Sequence, residues 1–109
     1  MANTFKLKTK ANVGVSTVGI YTAPAATTTA VIGITMANTS GSGVNVGVGI
    51  TRAGTTEDVK LLKNAPIPQG SSLEFMAGNK IVLEATDTVT VDSDTNNSID
   101  AALTIMEIT

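Results

Sequence analysis

The chain has 109 residues, a formal net charge of −2 at pH 7, and neither cysteine, histidine nor tryptophan. These absences remove the imidazole base, the thiolate nucleophile, disulfide bonds and nearly all zinc sites, and the slight negative charge argues against nucleic-acid binding. The length allows a single domain. We therefore expect no enzymatic activity and no cofactor.

The composition favours β-structure throughout. Valine, isoleucine and threonine together contribute 38 residues, whereas leucine contributes six. β-Branched side chains fit a pleated surface and lose rotamer freedom in helices. The sequence therefore predicts an all-β fold.

The first predicted strand, FKLKTK, alternates between two kinds of side chain. Its two faces are Phe5, Leu7 and Thr9 against Lys6, Lys8 and Lys10. Residues 1–12 are predicted as an N-terminal arm that pairs with a neighbour, or as an edge strand whose lysines discourage aggregation. The rest, 13–109, is predicted as one β-sandwich domain. The candidate interaction residues are Phe5, Lys6, Leu7, Lys8 and Lys10.

Three longer runs follow along the chain. The first is predicted to bend near Gly14 or Gly19, and glycines on one face of the third predict close packing or a bend there. Their apolar positions are Val13, Val15, Val18 and Ile20; then Ala30, Ile32, Ile34 and Met36; then Val44, Val46, Val48 and Ile50.

The segment TTEDVKLLKN is ambiguous, because it suits a strand through 59–62 or a single helical turn capped by Thr55 or Thr56. We favour the strand. An extended Pro66-Ile67-Pro68 and a turn at Gln69-Gly70 come next. The short strands SLEFM, KIVLEA and TVTV precede a last strand that begins near Ile99. The residues predicted to point inward are Leu73, Phe75, Ile81, Leu83, Val89 and Val91.

These elements amount to eight or nine short antiparallel strands. Such a pattern is typical of a β-sandwich, either a jelly roll or an immunoglobulin-like fold. The N-terminal sequence lacks the apolar core of a signal peptide, so synthesis in a cytoplasm is expected.

The acidic stretch DSDTNNSID, residues 92–100, resembles a calcium loop at its first positions. An EF-hand needs glycine at position 6 and glutamate at position 12, but these positions hold Asn97 and Leu103. Both Asn96 and Asn97 tolerate a left-handed turn. We predict a hairpin turn without metal, with weak calcium binding by the aspartates as the alternative.

Charge is divided unevenly along the chain. Residues 1–56 carry four basic and no acidic side chains, whereas residues 57–109 carry nine acidic and three basic ones. Such a division favours either head-to-tail contact between copies or pairing of the two halves within one subunit.

Three stretches together carry a family resemblance. They are YTAPAATTTAVIGI (21–34), PIPQGSSLEF (66–75) and NKIVLEATDTVTV (79–91), followed by IDAALTIMEI. In this order they resemble small virion structural proteins of tailed bacteriophages. The resemblance implies a place in the virion, and it leaves head, neck or tail open.

The first functional hypothesis is a capsid decoration or cement protein that binds the head shell as a homotrimer. Its strand 5–10 would add to a sheet edge of a neighbouring subunit or of the major capsid protein, with its lysines facing acids there. The alternatives are a tail, neck or fibre component, and a carbohydrate-binding adhesion module, for which Tyr21 is the available aromatic platform.

Overall fold

The structure, a computed structural model, describes residues 3–54, 57–75 and 81–108. Within these ranges the chain forms nine strands and no helix, which confirms the all-β prediction. The strands are β1 (Asn3–Val13), β2 (Val18–Thr22), β3 (Thr28–Asn38), β4 (Val44–Arg52), β5 (Glu57–Ile67), β6 (Ser72–Phe75), β7 (Ile81–Leu83), β8 (Thr88–Ser93) and β9 (Ile99–Ile108).

The strands form two antiparallel sheets that pack as a sandwich. One sheet has the order β1-β9-β3-β6, with β7 also paired to β3, and the other has the order β2-β8-β4-β5. An immunoglobulin fold keeps its first two strands in one sheet, whereas here β1 and β2 lie in different sheets. The order is that of a jelly roll, with β6 and β7 sharing one position.

The core lies between the sheets and follows the predicted alternation most closely in β4. All four predicted inward residues of that strand are buried, as are alternate residues of β8 and β9. These buried residues are Val44, Val46, Val48, Ile50, Val89, Val91, Ile99, Ala101, Leu103 and Ile105. The side chain of Phe75 lies outside the described part of the structure.

The outward glycines of β4 mark close approach by its two neighbours. A Cβ atom at Gly49 would lie 2.9 Å from the Val59 carbonyl oxygen of β5, and one at Gly47 would lie 2.5 Å from Asp92 Oδ1 of β8. Both distances are below van der Waals contact, so a side chain at Gly49 would push against the β5 backbone, whereas one at Gly47 would displace the Asp92 carboxylate. The predicted close packing is confirmed.

The predicted face of β3 is wrong at its N-terminal half. The pairing of β3 with β9 shifts register between Val31 and Gly33, because Ile32 is an extra residue in a bulge. A bulge reverses the alternation, so Val31 points into the core before it and Ile34 after it, while Ile32 is only half-buried.

Three other local predictions are resolved by the strand boundaries and by the pairing registers. Val13 ends β1 instead of opening the next strand, and Val15 is exposed in the connection to β2. The register shift between Gly19 and Tyr21 confirms the predicted bend in β2. The strand interpretation of residues 59–62 is also confirmed, since they lie within β5.

The predicted hairpin at residues 92–100 is wrong. Strand β8 belongs to one sheet and β9 to the other, so this turn connects the two layers of the sandwich. Only one of its two asparagines, Asn97, has a positive φ, at 52°. The two asparagines predicted a tight hairpin turn. They could not show which sheet β8 and β9 each join, because that depends on partner strands far away in the sequence.

Candidate interaction surface

Among the described residues, strand β1 lies at the open edge of the five-stranded sheet and is paired on one side only, with β9. Its apolar side chains face away from the second sheet. Lys6 reaches Glu107, which in turn contacts Tyr21 of the second sheet. Because side chains alternate along a strand, Phe5 and Leu7 point to the opposite, outer face, where they are 70% and 64% exposed.

An apolar row crosses this outer face from one edge of the sheet to the other. Phe5 pairs with Met106, Met106 with Ala30, and Ala30 with Val82, which is 60% exposed. Opposed side chains on neighbouring strands lie about 5 Å apart. These four residues, called here the apolar row, therefore form a strip without a charged group, which is exposed at Phe5 and Val82, half-buried at Met106 and buried at Ala30.

Apart from Leu7, the two neighbouring cross-strand rows are composed of small residues. Leu7 pairs with Thr104, which pairs with Gly33, and Thr9 pairs with Ala102, which pairs with Thr35. Three of the five large hydrophobic side chains found exposed in the described residues belong to this one face. Scattered exposed hydrophobics are ordinary, but a clustered apolar patch is typical of a protein-binding surface.

The inner side of β1 meets a buried polar cluster. Lys6 Nζ lies 2.9 Å from Glu107 Oε1, and the Tyr21 hydroxyl donates to Glu107 Oε2 at 2.6 Å. Tyr21 and Thr29 also share a hydrogen bond of 2.9 Å. Glu107, Tyr21 and Thr29 are all buried, so the cluster joins β1, β9 and β3 to β2 of the other sheet.

This environment shifts two pKa values in opposite directions. Burial, followed by the hydrogen bond to Glu107, raises the pKa of Tyr21 to about 12. The hydrogen bond from Tyr21, followed by that from Lys6, lowers the pKa of Glu107. Tyr21 is neutral and Glu107 ionised at neutral pH, which is the pairing that the hydrogen bonds require.

The signs of these shifts predict opposite effects of pH on folding stability. Folding raises the pKa of Tyr21, so its contribution is complete below pH 10 and is lost as the pH rises towards 12. Folding lowers the pKa of Glu107, so its contribution is present above the ordinary glutamate pKa and is lost on acidification.

The chain's single tyrosine and lack of tryptophan allow a direct test. After a rapid jump in pH, the tyrosinate absorbance of the still-folded chain should titrate with a midpoint near 12, against about 10 in denaturant. Glu107→Gln removes a charge that raises this pKa, so the midpoint should fall but stay above 10, since burial remains. A native midpoint at 10 would contradict the buried cluster.

The lysines predicted to bind a neighbour differ in their surroundings. Lys6 engages Glu107 of its own chain, Lys8 is half-buried, and Lys10 is exposed. A further pairing across the two halves joins Arg52 to the buried Asp87, with Nε 3.0 Å from Oδ2, and to Glu84. Pairing within one subunit therefore accounts for part of the charge division along the sequence.

The aspartates of residues 92–100 point to three different partners. Asp92 accepts from the Thr17 hydroxyl, Asp94 from the Asn45 amide, and Asp100 from the Asn12 amide. In the described ranges, no three acidic side chains come close enough to hold a metal ion together. The carboxylates are used as acceptors that fix neighbouring segments.

No helix in the described ranges is long and apolar enough to cross a membrane.

Sequence reasoning missed the buried cluster and the far side of the outer face. Glu107 lies on the same face of β9 as Ile105 and Leu103. An acidic residue at such a core position was the sign in the sequence that a buried polar partner is present. Tyr21, considered above as a sugar platform, is only 7% exposed and is held by hydrogen bonds. It therefore offers no exposed ring.

Comparisons with known proteins show a fold and no family. No family model and no curated protein matches the sequence. Among solved structures, a chain from the disulfide-linked pili that form Bacillus endospore appendages shares 15% identity at a TM-score of 0.57, covering 99% of this chain and 87% of that one.

Two viral structures share the fold at similar levels. A chain of the cyanophage Pam1 capsid asymmetric unit has 13% identity and a TM-score of 0.55, with 96% of this chain and 84% of that chain covered. A chain of the infectious bursal disease virus particle has 11% identity and a TM-score of 0.60, covering 96% of this chain but only 30% of that one. At these identities the likeness establishes the jelly-roll sandwich.

Proposed function

We propose that this chain is a structural protein of a bacteriophage virion, a capsid decoration or cement protein that binds the head shell as a homotrimer. The observation that carries the proposal is the outer face of the five-stranded sheet, where Phe5 and Leu7 stand exposed on an unpaired edge strand. Binding of another protein subunit to this surface would remove these apolar side chains from water, which lowers the free energy of the complex.

Two further features support a role in assembly. The jelly-roll order of the strands recurs in viral capsid domains, and solved structures with a similar fold include chains of a cyanophage capsid and of another virus particle. The unpaired side of β1 also presents backbone donors and acceptors. These can add to a sheet edge of the major capsid protein or of another copy.

The alternative is a tail, neck or fibre component of the same virion, which would use the same edge and face. Copy number separates the two roles, because an icosahedral shell repeats its binding site far more often than a tail does. Quantitative mass spectrometry of purified particles measures the number of chains relative to the major capsid protein. Hundreds of copies support decoration of the head, a few to tens support the tail role, and absence from the particle contradicts both.

A further inference from the structure

The N-terminal part of β1, residues 3–10, is held weakly by the core. No residue of this part, called here the donor segment, is buried, and only Lys8 is half-buried. Within the described ranges, its attachment consists of the backbone ladder to β9 and the ion pair of Lys6 with Glu107. Because little apolar surface is buried, releasing the donor segment forfeits little hydrophobic stabilisation.

The backbone leaves regular strand geometry immediately after the donor segment. The register with β9 breaks between Lys10 and Val13, and Asn12 adopts a left-handed conformation with φ of 58°. Beyond this point the backbone is anchored, because the carbonyl oxygens of Val13 and Gly14 accept amide hydrogen bonds of 3.0 Å from Ser98 and from Ser93 at the end of β8. Residues 11–12 therefore separate a loosely held strand from a fixed one, as a hinge does, with the Asn12 backbone amide held on the fixed side by Asp100.

The surface beneath the donor segment recognises a particular kind of strand. It consists of the β9 edge, which needs backbone partners, and the buried carboxylate of Glu107, which is oriented by Tyr21 and accepts a lysine ammonium at 2.9 Å. An extended segment with lysine at the matching position satisfies both requirements. The donor segment of a second copy meets them as well as the chain's own does, because every contact is the same.

We propose that donor segments are exchanged between copies, so that residues 3–10 of one chain pair with β9 of the next. This inference rests on the proposed self-association and names its contact. In the exchanged assembly Lys6 binds Glu107 of a neighbouring copy, and Phe5 completes the apolar row of that copy. Each outer face is then built from two chains.

The absence of cysteine from the chain allows a crosslinking test. Thr9 lies opposite Ala102 in the β1–β9 ladder, so Thr9→Cys and Ala102→Cys chains are co-expressed with different tags and oxidised. Exchange predicts disulfide-linked pairs that carry both tags. It also predicts that the double variant forms disulfides between chains. Disulfides confined within single chains of the double variant, with no linked pairs in the mixture, would overturn exchange.

A matched control separates exchange from simple stacking of outer faces. Thr35 lies on the same face, one strand beyond Ala102, so Thr9→Cys is also co-expressed with Thr35→Cys. Face-to-face packing would link both mixtures, whereas exchange links only the first. Equal crosslinking overturns exchange and leaves self-association standing. A chain that sediments as a monomer and forms only internal disulfides would contradict both exchange and self-association. The copy number in particles tests the proposed place in the virion separately.

Discussion

Replacing Phe5 and Leu7 together by serine is expected to weaken attachment to the particle about 100-fold, as read from occupancy on particles stripped of the chain. Burying a large apolar side chain contributes roughly 1.5–3 kcal/mol, so losing two at the lower value gives about 3 kcal/mol, or a ~100-fold change. Both side chains are exposed in the isolated chain. The substitutions should therefore leave its unfolding transition almost unchanged.

The control for this experiment removes similar side chains from other surfaces. Val15 and Val59 are 57% and 41% exposed, in the β1–β2 connection and on β5 of the second sheet. The double variant Val15→Ser, Val59→Ser should keep its occupancy. If both double variants bind like the unchanged chain, the outer face is not the attachment surface.

The largest effect on stability is expected from Leu103→Ala. Leu103 is fully buried at the centre of β9, between β1 and β3. Truncating a buried leucine removes transfer free energy and leaves a cavity, which together cost 2–5 kcal/mol, so about 3 kcal/mol is expected. In a domain of this size that loss lowers the melting temperature by roughly 15 °C. Urea denaturation measures the change directly.

The same substitution at an exposed leucine provides the comparison. Leu7→Ala removes identical atoms from a side chain that is 64% exposed, so it should change the free energy of unfolding by less than about 0.5 kcal/mol. Similar losses for the two variants would mean that β9 is not the central strand of a packed core.

Local alternation predicted the core where the strands are regular. The inward set of β4, from Val44 to Ile50, could be identified because parity depends only on neighbours in sequence. The parity of β3 fails at Ile32, since an inserted residue reverses the faces there, and the adjacent Gly33 was only an unspecific sign of a bulge. The sheet to which each strand belongs could not be predicted either. The 92–100 turn connects β8 of one sheet to β9 of the other, and both sheets are assembled from strands far apart in the sequence.

The interaction surface could be predicted only in part. The alternation of β1 separated Phe5 and Leu7 from the lysines, but it does not say which face meets the second sheet. That choice depends on Glu107, a distant acid whose burial draws Lys6 inward and leaves the apolar side chains outside. The rest of the apolar row comes from three other strands, which pair only in the folded chain.

The pairing of β1 with β9 also constrains the order of events during protein synthesis. A ribosome makes β1 before the seven strands that separate it from its partner. A nascent chain therefore carries an unmatched lysine-bearing strand until β9 emerges. When several ribosomes translate one messenger RNA, a completed chain nearby presents its β9 before the nascent chain has made its own. Translation itself can thus favour joining one chain to the next.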